Sequence, residues 1–377
     1  ANFMELSKLD LEIHKLYNRA DDIRLGLNNL AFTEHGSGLD VNSGSGDIAM
    51  SGNIVNIKNM HVGTLLSDIN ADAYVDLSIA DNPDKGMIQM STNSKIALQD
   101  ITKLMPQYKE MLKDIPQIEP LTLKGHLSGN ASRVDLGDFT ANLPRYARAT
   151  VTGSLYNPTD FNRMKGDLEV DARFDNINFV KPTLLDKASR DKVDFPPMSL
   201  TAKTHIDRGN IVADAVMKLA TGTMVGKGSF NGNTQEYFLD ATFDNFPVKA
   251  IAPLADADNL TAHMKFRGKG YDFFGPNANV EAEVDLAGVN YNNSFYKNFN
   301  TRLSMSGGKI DAHITSDNDN CRVNMDVVGT VSGRHYQLDA VGYINELDLN
   351  ALHVYKGECR GKGRLVGYFD IDLDNNA

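Results

Sequence analysis

The residues of this chain that could do chemistry are an acidic series near its end, nine histidines and two cysteines. Asp370, Asp372 and Asp374 have the spacing that opens a calcium-binding loop. However, Asn375 stands where such a loop needs glycine, and no glutamate follows at its twelfth position. The three carboxylates alternate with apolar residues, so we predict a β-strand with an acidic, solvated face and no metal site.

The histidines are scattered along the sequence, without a His-Glu-x-x-His motif or a pair at close metal-ligand spacing. His263 and His313 fall at polar positions of alternating segments, where we expect solvated side chains. No Gly-x-Ser-x-Gly motif is present, and Gly226-Lys227-Gly228 precedes a hairpin pattern instead of a helix. We therefore predict a protein that is not an enzyme, with no catalytic residue, metal ligand or cofactor.

Cys321 and Cys359 are the only cysteines, and their spacing fits neither a zinc site nor a redox motif. Isolated thiols are the simpler interpretation, and the alternative of one disulfide stays open at this point. The cysteines do not identify a cellular compartment.

Composition excludes several classes of partner. The 377 residues carry a formal net charge of −11, which disfavours nucleic acid and anionic membrane surfaces because both require basic patches. No apolar run approaches 18 residues, so the sequence predicts no bilayer-spanning segment. A hydrophobic content of 41% is enough for a substantial core.

One sequence pattern recurs in the chain: an alternating segment is followed by a short Asp/Asn-rich connection and then by a short apolar helical segment. It is clearest at 170–186, 239–256 and 338–354, with a weaker copy from Ser94. Repetition on this scale is typical of stacked units that share one core. We predict one extended, repeat-built β body over 1–377, with approximate units at 1–115, 116–190, 191–256 and 257–377.

Strict alternation of apolar and polar residues predicts most of the secondary structure. Segments such as 71–80, 166–175 and 279–289 place apolar residues on one face and charges on the other. Turn signals such as Ser306-Gly307-Gly308 separate them at short intervals. The fold class is therefore mainly β: an elongated, curled antiparallel sheet of about twenty strands with a few short helices.

The predicted helices are too few to cover such a sheet. Helical spacing indicates two short helices, at about 98–105 and 106–114 with Pro106 opening the second, and another near 182–192. Shorter helical turns are expected near 247–255 and 349–354. The apolar sheet face must then be buried by the sheet itself, as in a closed sandwich, or remain open for a ligand or partner.

These features resemble a known family. The helical segments DITKLMPQYKEMLKDIP (100–116) and FPVKAIAPL (246–254), with the glycine-rich hairpins at 123–129 and 226–232, are similar to the TamB/AsmA-like proteins of Gram-negative bacteria. Within that family, the repeat pattern is most similar to that of the Bacteroidetes branch. The resemblance covers nearly the whole chain.

The resemblance implies a half-pipe, or β-taco, with a hydrophobic groove. It also implies a periplasmic location, as part of a longer protein anchored in the inner membrane. Family members are implicated in phospholipid movement between the membranes and in outer-membrane protein assembly. Phospholipid acyl chains are thus the expected ligand, with assembly proteins of the BamA/TamA type as a further possible partner and no nucleic acid.

Our hypothesis from the sequence is a scaffold whose apolar groove carries acyl chains. A β scaffold that assists outer-membrane protein assembly as a chaperone, and a surface or adhesin repeat with a closed core, are the alternatives. The candidate groove-lining residues are apolar positions of the alternating segments: Val75, Leu77, Ile79, Val170, Phe174, Phe243, Phe266, Val284, Ile310, Met325 and Ile371.

Overall fold

The computed structural model describes residues 5–117, 119–184, 187–190, 194–251, 257–270, 275–291, 294–352 and 357–372. Its described strands number 21 and belong to one antiparallel sheet that does not close on itself. The chain divides into two units. The first comprises 1–190 with 199–208, and the second comprises 191–198 with 209–377. The predicted mainly β fold class is confirmed, whereas the four predicted repeat units stay a prediction.

In the first unit, consecutive strands pair as antiparallel hairpins from β1 to β10. The strand β11 lies beside β10, where the Lys203 ammonium is 2.9 Å from the Glu169 carboxylate. The strands are β1 Leu6–Arg19, β2 Asp22–Glu34, β3 Leu39–Ser51, β4 Ile54–Thr64, β5 Asp68–Asp76, β6 Ile88–Ile96, β7 Leu121–Gly129, β8 Arg133–Leu143, β9 Ala147–Tyr156, β10 Lys165–Phe174 and β11 Met198–Asp207.

The second unit repeats this meander, with consecutive antiparallel pairing from β12 to β21. Tight turns connect many pairs: Gly307 and Gly308 both have positive φ, which suits a two-residue hairpin. The strands are β12 Asn210–Leu219, β13 Thr223–Asn231, β14 Glu236–Phe246, β15 Ala257–Lys269, β16 Asn279–Tyr291, β17 Ser294–Ser306, β18 Lys309–Asn318, β19 Cys321–Ser332, β20 His335–Asp348 and β21 Arg360–Asp372.

All five described α-helices follow an even-numbered strand. They are α1 Leu98–Leu104, α2 Lys109–Leu112, α3 Lys181–Leu184, α4 Lys187–Arg190 and α5 Val248–Ile251. The predicted break at Pro106 is confirmed, but this proline opens a 3₁₀ turn, Pro106–Tyr108, and α2 itself begins at Lys109. The helix predicted near 182–192 is confirmed as α3 and α4, preceded by a 3₁₀ turn at Asn178–Val180. Residues 185–186 and 191–192 of this prediction lie outside the described residues.

The two shorter helical turns are confirmed where the structure describes them. The first appears as α5. In the second, Leu352 donates its amide to the Asp348 carbonyl, which forms one turn after β20. Residues 252–255 and 353–354 of these predictions lie outside the described residues.

Polar residues with left-handed backbones mark irregular points in the strands. Asn59, Asp138, Asn245 and Asn259 have φ between 44° and 51°, and each lies where the strand register shifts. Asparagine and aspartate adopt this conformation more readily than other side chains. Such β-bulges bend a strand and increase its local twist.

The acidic series near the chain end lies on a strand, as predicted. β21 includes Asp370 and Asp372, while Asp374 lies outside the described residues. Cys321 and Cys359 are free thiols. Cys321 lies opposite Leu347 on β20, which lies opposite Gly361 on β21, so a whole strand separates Cys321 from the β21 side. The question left open by the sequence is therefore answered against a disulfide.

Candidate functional site

A continuous apolar face covers one side of the sheet in the second unit. Directly opposite residues of an antiparallel pair point to the same face, so the strand register identifies its members. One row crosses seven strands through Leu239, Phe266, Ala282, Leu303, Ala312, Val327 and Ala340. The next row runs through Ala241, Met264, Val284, Thr301, Ile314 and Met325. We call this side the apolar face of the second unit.

The register brings six of the sequence-predicted residues onto this face. Val284 and Met325 belong to the second row, and Phe266 to the first. The other three lie in flanking rows: Phe243 opposite Ala262, Ile310 opposite Met305, and Ile371 opposite Tyr336.

The first unit has an apolar face of the same kind. A row of pairs leads from Val75 through Ile88, Gly129, Val134 and Leu155 to Gly166. Because strand residues two apart share a face, Val170 and Phe174 lie on the same side of β10 as Gly166. The structure thus brings Val75, Val170 and Phe174 onto one face.

Leu77 and Ile79 are corrections to the sequence analysis. Alternation predicted a strand through both, but β5 ends at Asp76 and Leu77–Ile79 forms a 3₁₀ helix. The Asp76 carboxylate accepts a hydrogen bond from the Ser78 amide over 3.0 Å, which caps that turn. Neither residue belongs to a strand of the apolar face, so we drop both as face residues.

Sequence reasoning missed most members of the two faces. Leu239, Met264, Leu303 and Val327 are as much part of the second face as the chosen residues. Their apolar positions in alternating segments were the available signal. The residues become neighbours through the register between consecutive strands, and that register is visible only in the fold.

The apolar faces are not sealed. Val75, Val170, Phe174, Phe243, Phe266, Val284, Ile310 and Met325 are all half-buried, and Ile371 is 38% exposed. The fully buried apolar residues of these faces include alanines that sit between larger neighbours: Ala172, Ala241, Ala262, Ala312 and Ala340. Large apolar side chains therefore remain in contact with solvent along each face.

The total accessible surface supports this conclusion. The chain exposes 22769 Å². A compact 41.4 kDa protein would expose about 15,000 Å², and two separate compact bodies of half that mass about 18,000 Å². The excess fits strands with one face uncovered.

The opposite side of the second unit is charged. One row of cross-strand neighbours alternates in sign through Asp214, Lys227, Asp240, Lys265, Glu283 and Arg302. Its ion pairs are loose: Lys265 lies 3.8 Å from Asp240 and Arg302 lies 3.8 Å from Glu283. Pairs this exposed contribute little to stability individually, about 0–1 kcal/mol. We call this side the charged face.

The histidines on the charged face have carboxylate partners. His263 Nε2 lies 2.7 Å from Asp240, and His313 Nδ1 lies 2.6 Å from Asp326 on the next strand. Their polar strand positions are confirmed. The pairing across strands was not predicted, because it depends on the register. These contacts join neighbouring strands and converge on no pocket.

Among the described residues, no group of three or more His, Cys, Asp or Glu side chains is arranged to hold a metal ion. The described helices include none long and apolar enough to cross a membrane. What the arrangement offers chemically is apolar surface, against which burial of apolar groups is favourable by contact alone.

Comparison with known proteins leaves the family resemblance untested. The chain matches no protein-family model, no curated protein and no solved structure. The mainly β, repeat-like sheet architecture stands on the structure alone.

Proposed function

We propose that this protein is a non-enzymatic scaffold whose apolar faces carry phospholipid acyl chains between the inner and outer membranes. It would work in the periplasm as part of a longer, inner-membrane-anchored protein of the TamB/AsmA-like kind. The observation that carries the proposal is the incomplete burial of large apolar side chains along a sheet face in each unit. Exposed apolar surface on this scale marks a site for a partner or ligand.

The energies suit a carrier. Each methylene removed from water contributes about 0.8 kcal/mol, so roughly eight methylenes against the face give about 6 kcal/mol without any polar contact. The rows of the apolar face repeat similar side chains from strand to strand. An acyl chain would meet comparable contacts at successive positions, which favours movement along the face over trapping at one point.

The charged side of the sheet provides an internal control for the test. Val284 and Glu283 are neighbours in β16 on opposite faces, and Val170 and Glu169 are so placed in β10. A photoreactive residue at Val284 or Val170 should crosslink to lipid in cells, and the same residue at Glu283 or Glu169 should not. Mass spectrometry of the crosslinked species identifies the lipid. Equal labelling from both faces, or none, would contradict the proposal.

A chaperone-like scaffold is the second candidate, and strand β1 favours it. Among the described residues this strand pairs only with β2, and its Leu9, Leu11 and Leu16 are 57%, 47% and 71% exposed. Exposed edge strands can pair with extended polypeptide. Photoreactive residues at these positions that captured unfolded outer-membrane polypeptide, together with no lipid at Val284, would favour this function. BamA/TamA-type assembly proteins would then be the expected partners.

The third alternative, a closed-core adhesin repeat, requires a sealed apolar face. The incomplete burial of residues along the two apolar faces supports an open face over this alternative.

A further inference from the structure

The strand β21 has an unusual side-chain distribution. Among the described residues it pairs only with β20, and no described strand lies along its other edge. Val366 and Tyr368 on the charged face are 67% and 60% exposed, and Phe369 on the apolar face is 43% exposed. An open edge strand with exposed apolar residues on both faces is a site for pairing with another strand.

The outer surface around β21 departs from the charged pattern of its face. Val341 and Val366 lie directly opposite each other, and Val341 lies opposite Asp326, where the charged series ends. Tyr343 and Val328 nearby are 61% and 49% exposed. At β19–β21 the charged face thus carries exposed apolar residues that lie among Asp326, Asp339 and Arg364.

The sequence of β21 is complementary to itself in antiparallel orientation. With a two-fold axis at Gly367, Arg364 of one copy lies opposite Asp370 of the other, and Lys362 lies opposite Asp372. The same register places Val366 opposite Tyr368 on that face. On the apolar face it places Leu365 opposite Phe369. Every pair joins opposite charges or two apolar residues, and the symmetry makes each contact twice.

We propose that β21 pairs with β21 of a second copy of this chain, antiparallel about Gly367, to form a symmetric dimer. Two-fold dimers with one self-complementary patch are the commonest protein oligomers. Among the described residues no ion pair occupies Lys362 or Arg364, whereas Asp370 accepts a hydrogen bond from His335 and remains about half exposed. The dimer would join the apolar faces of two second units edge to edge. This inference does not depend on lipid binding.

A charge swap tests the register. Arg364→Glu places two acidic residues opposite each other, and Asp370→Lys places two basic ones, so each variant should be monomeric. The double variant restores opposite charges and should dimerise. An equimolar mixture of the two single variants should also dimerise, because the introduced glutamate then faces the introduced lysine. Lys309→Glu, an exposed reversal on β18, is the matched control and should leave dimerisation unchanged.

Sedimentation velocity over a concentration series provides the readout, with 41.4 kDa for the monomer and twice that mass for the dimer. A wild-type chain that stays monomeric throughout would overturn the proposal, as expected if another segment or partner covers the edge. Single variants that still dimerise would overturn it too, and so would a double variant or a mixture that fails to reassemble.

A crosslink at the axis gives an independent test. In a Cys321→Ser/Cys359→Ser background, Gly367→Cys should form an intermolecular disulfide under mild oxidation. Opposite Cα atoms in an antiparallel pair lie about 4.5–5.5 Å apart, within disulfide range. The atoms nearest to a Cβ at Gly367 belong to the side chains of Phe369 and Leu365, at 3.1 Å and beyond. Gly361→Cys is the control, since its two copies would lie roughly 40 Å apart. Crosslinking at Gly361, or none at Gly367, would refute the register.

Discussion

The Ser67 hydroxyl donates a hydrogen bond of 2.6 Å to the carboxylate of Asp100. Thr64 donates to the same carboxylate oxygen, also over 2.6 Å. Asp100 is 6% exposed, and Ser67 also accepts the Ala97 amide over 2.9 Å. This buried network fastens the start of α1 to the turn between β4 and β5, and so holds a helical connection against the end of the sheet.

Removal of the Asp100 carboxylate should loosen that connection. Asp100→Ala leaves the two hydroxyls without their acceptor, and we expect about 1–3 kcal/mol of lost local stability. Native-state hydrogen exchange of the amides at 64–68 and 97–101 measures it. Asp81→Ala, at an exposed aspartate, is the control and should change nothing there. Unchanged protection in Asp100→Ala would show that the network does not hold the turn.

The packing around Ala241 leads to a second prediction. Ala241 lies on the apolar face and is 1% exposed. A Cβ added at Gly226 on the neighbouring strand would lie 2.7 Å from the Cβ of Ala241, so the space around Ala241 is filled. Ala241→Leu should therefore destabilise the second unit by about 1–3 kcal/mol through overpacking. Urea unfolding followed by a probe in the second unit measures the effect. Ala287→Leu, at an exposed alanine of β16, is the matched control. Equal losses of stability in the two variants would contradict the tight packing around Ala241.

The two cysteines should react very differently. Burial raises the pKa of the half-buried Cys321 thiol, which lowers its thiolate fraction at neutral pH, whereas Cys359 is exposed. In the native protein a thiol reagent should label Cys359 rapidly and Cys321 slowly. Because β20 separates Cys321 from β21, mild oxidation should form no bond between them within one chain. Peptide mapping after timed labelling checks both, and an intramolecular disulfide would contradict the register.

The contact between His335 and Asp370 predicts a pH dependence. The hydrogen bond between them raises the pKa of His335 and lowers that of Asp370. The stabilisation from His335 is complete below its unfolded pKa, about 6.5, and is lost as pH rises through the higher folded value. The stabilisation from Asp370 is complete above about 3.9, its unfolded value, and is lost as pH falls through the lower folded one.

We therefore expect the β20–β21 pair to be most stable between about pH 4 and 6.5. Hydrogen exchange of β21 amides, corrected for the intrinsic pH dependence of exchange, should show the largest opening free energy in that window. His335→Gln should flatten its alkaline side. A profile in the variant identical to wild type would exclude this pair as the cause.

The sequence was sufficient to predict on which face of the sheet most strand residues lie, but not which residues they contact on the neighbouring strands. Alternation around Val170 and Val284 correctly separates apolar from charged positions, because side chains on a strand alternate strictly. It failed at Leu77 and Ile79, where the apolar rhythm continues past the end of β5. There Gly86 passes so close to Ile79 that a Cβ would lie 2.4 Å from its amide nitrogen. That approach brings together residues from two segments, which local periodicity does not report.

The register of the sheet was also beyond sequence reasoning. The contact of His313 with Asp326, and the alignment of Phe266 with Leu303, depend on which residues of neighbouring strands face each other. The left-handed residues Asn59 and Asp138 shift that register within a strand. Small polar residues inside alternating segments were the available signal for these β-bulges. However, the position of a bulge also depends on the strand with which the segment pairs.

The placement of every described α-helix after an even-numbered strand has a consequence for how such a protein can change. Within each unit, the chain returns to the same margin of the sheet after every second strand, and that margin already accommodates inserted helices. Addition or removal of one hairpin leaves every remaining strand running in its original direction, whereas loss of a single strand would reverse the direction of all strands that follow and move their helical connections to the opposite margin. The sheet can therefore grow or shorten in steps of two strands without any change in where its helices are inserted.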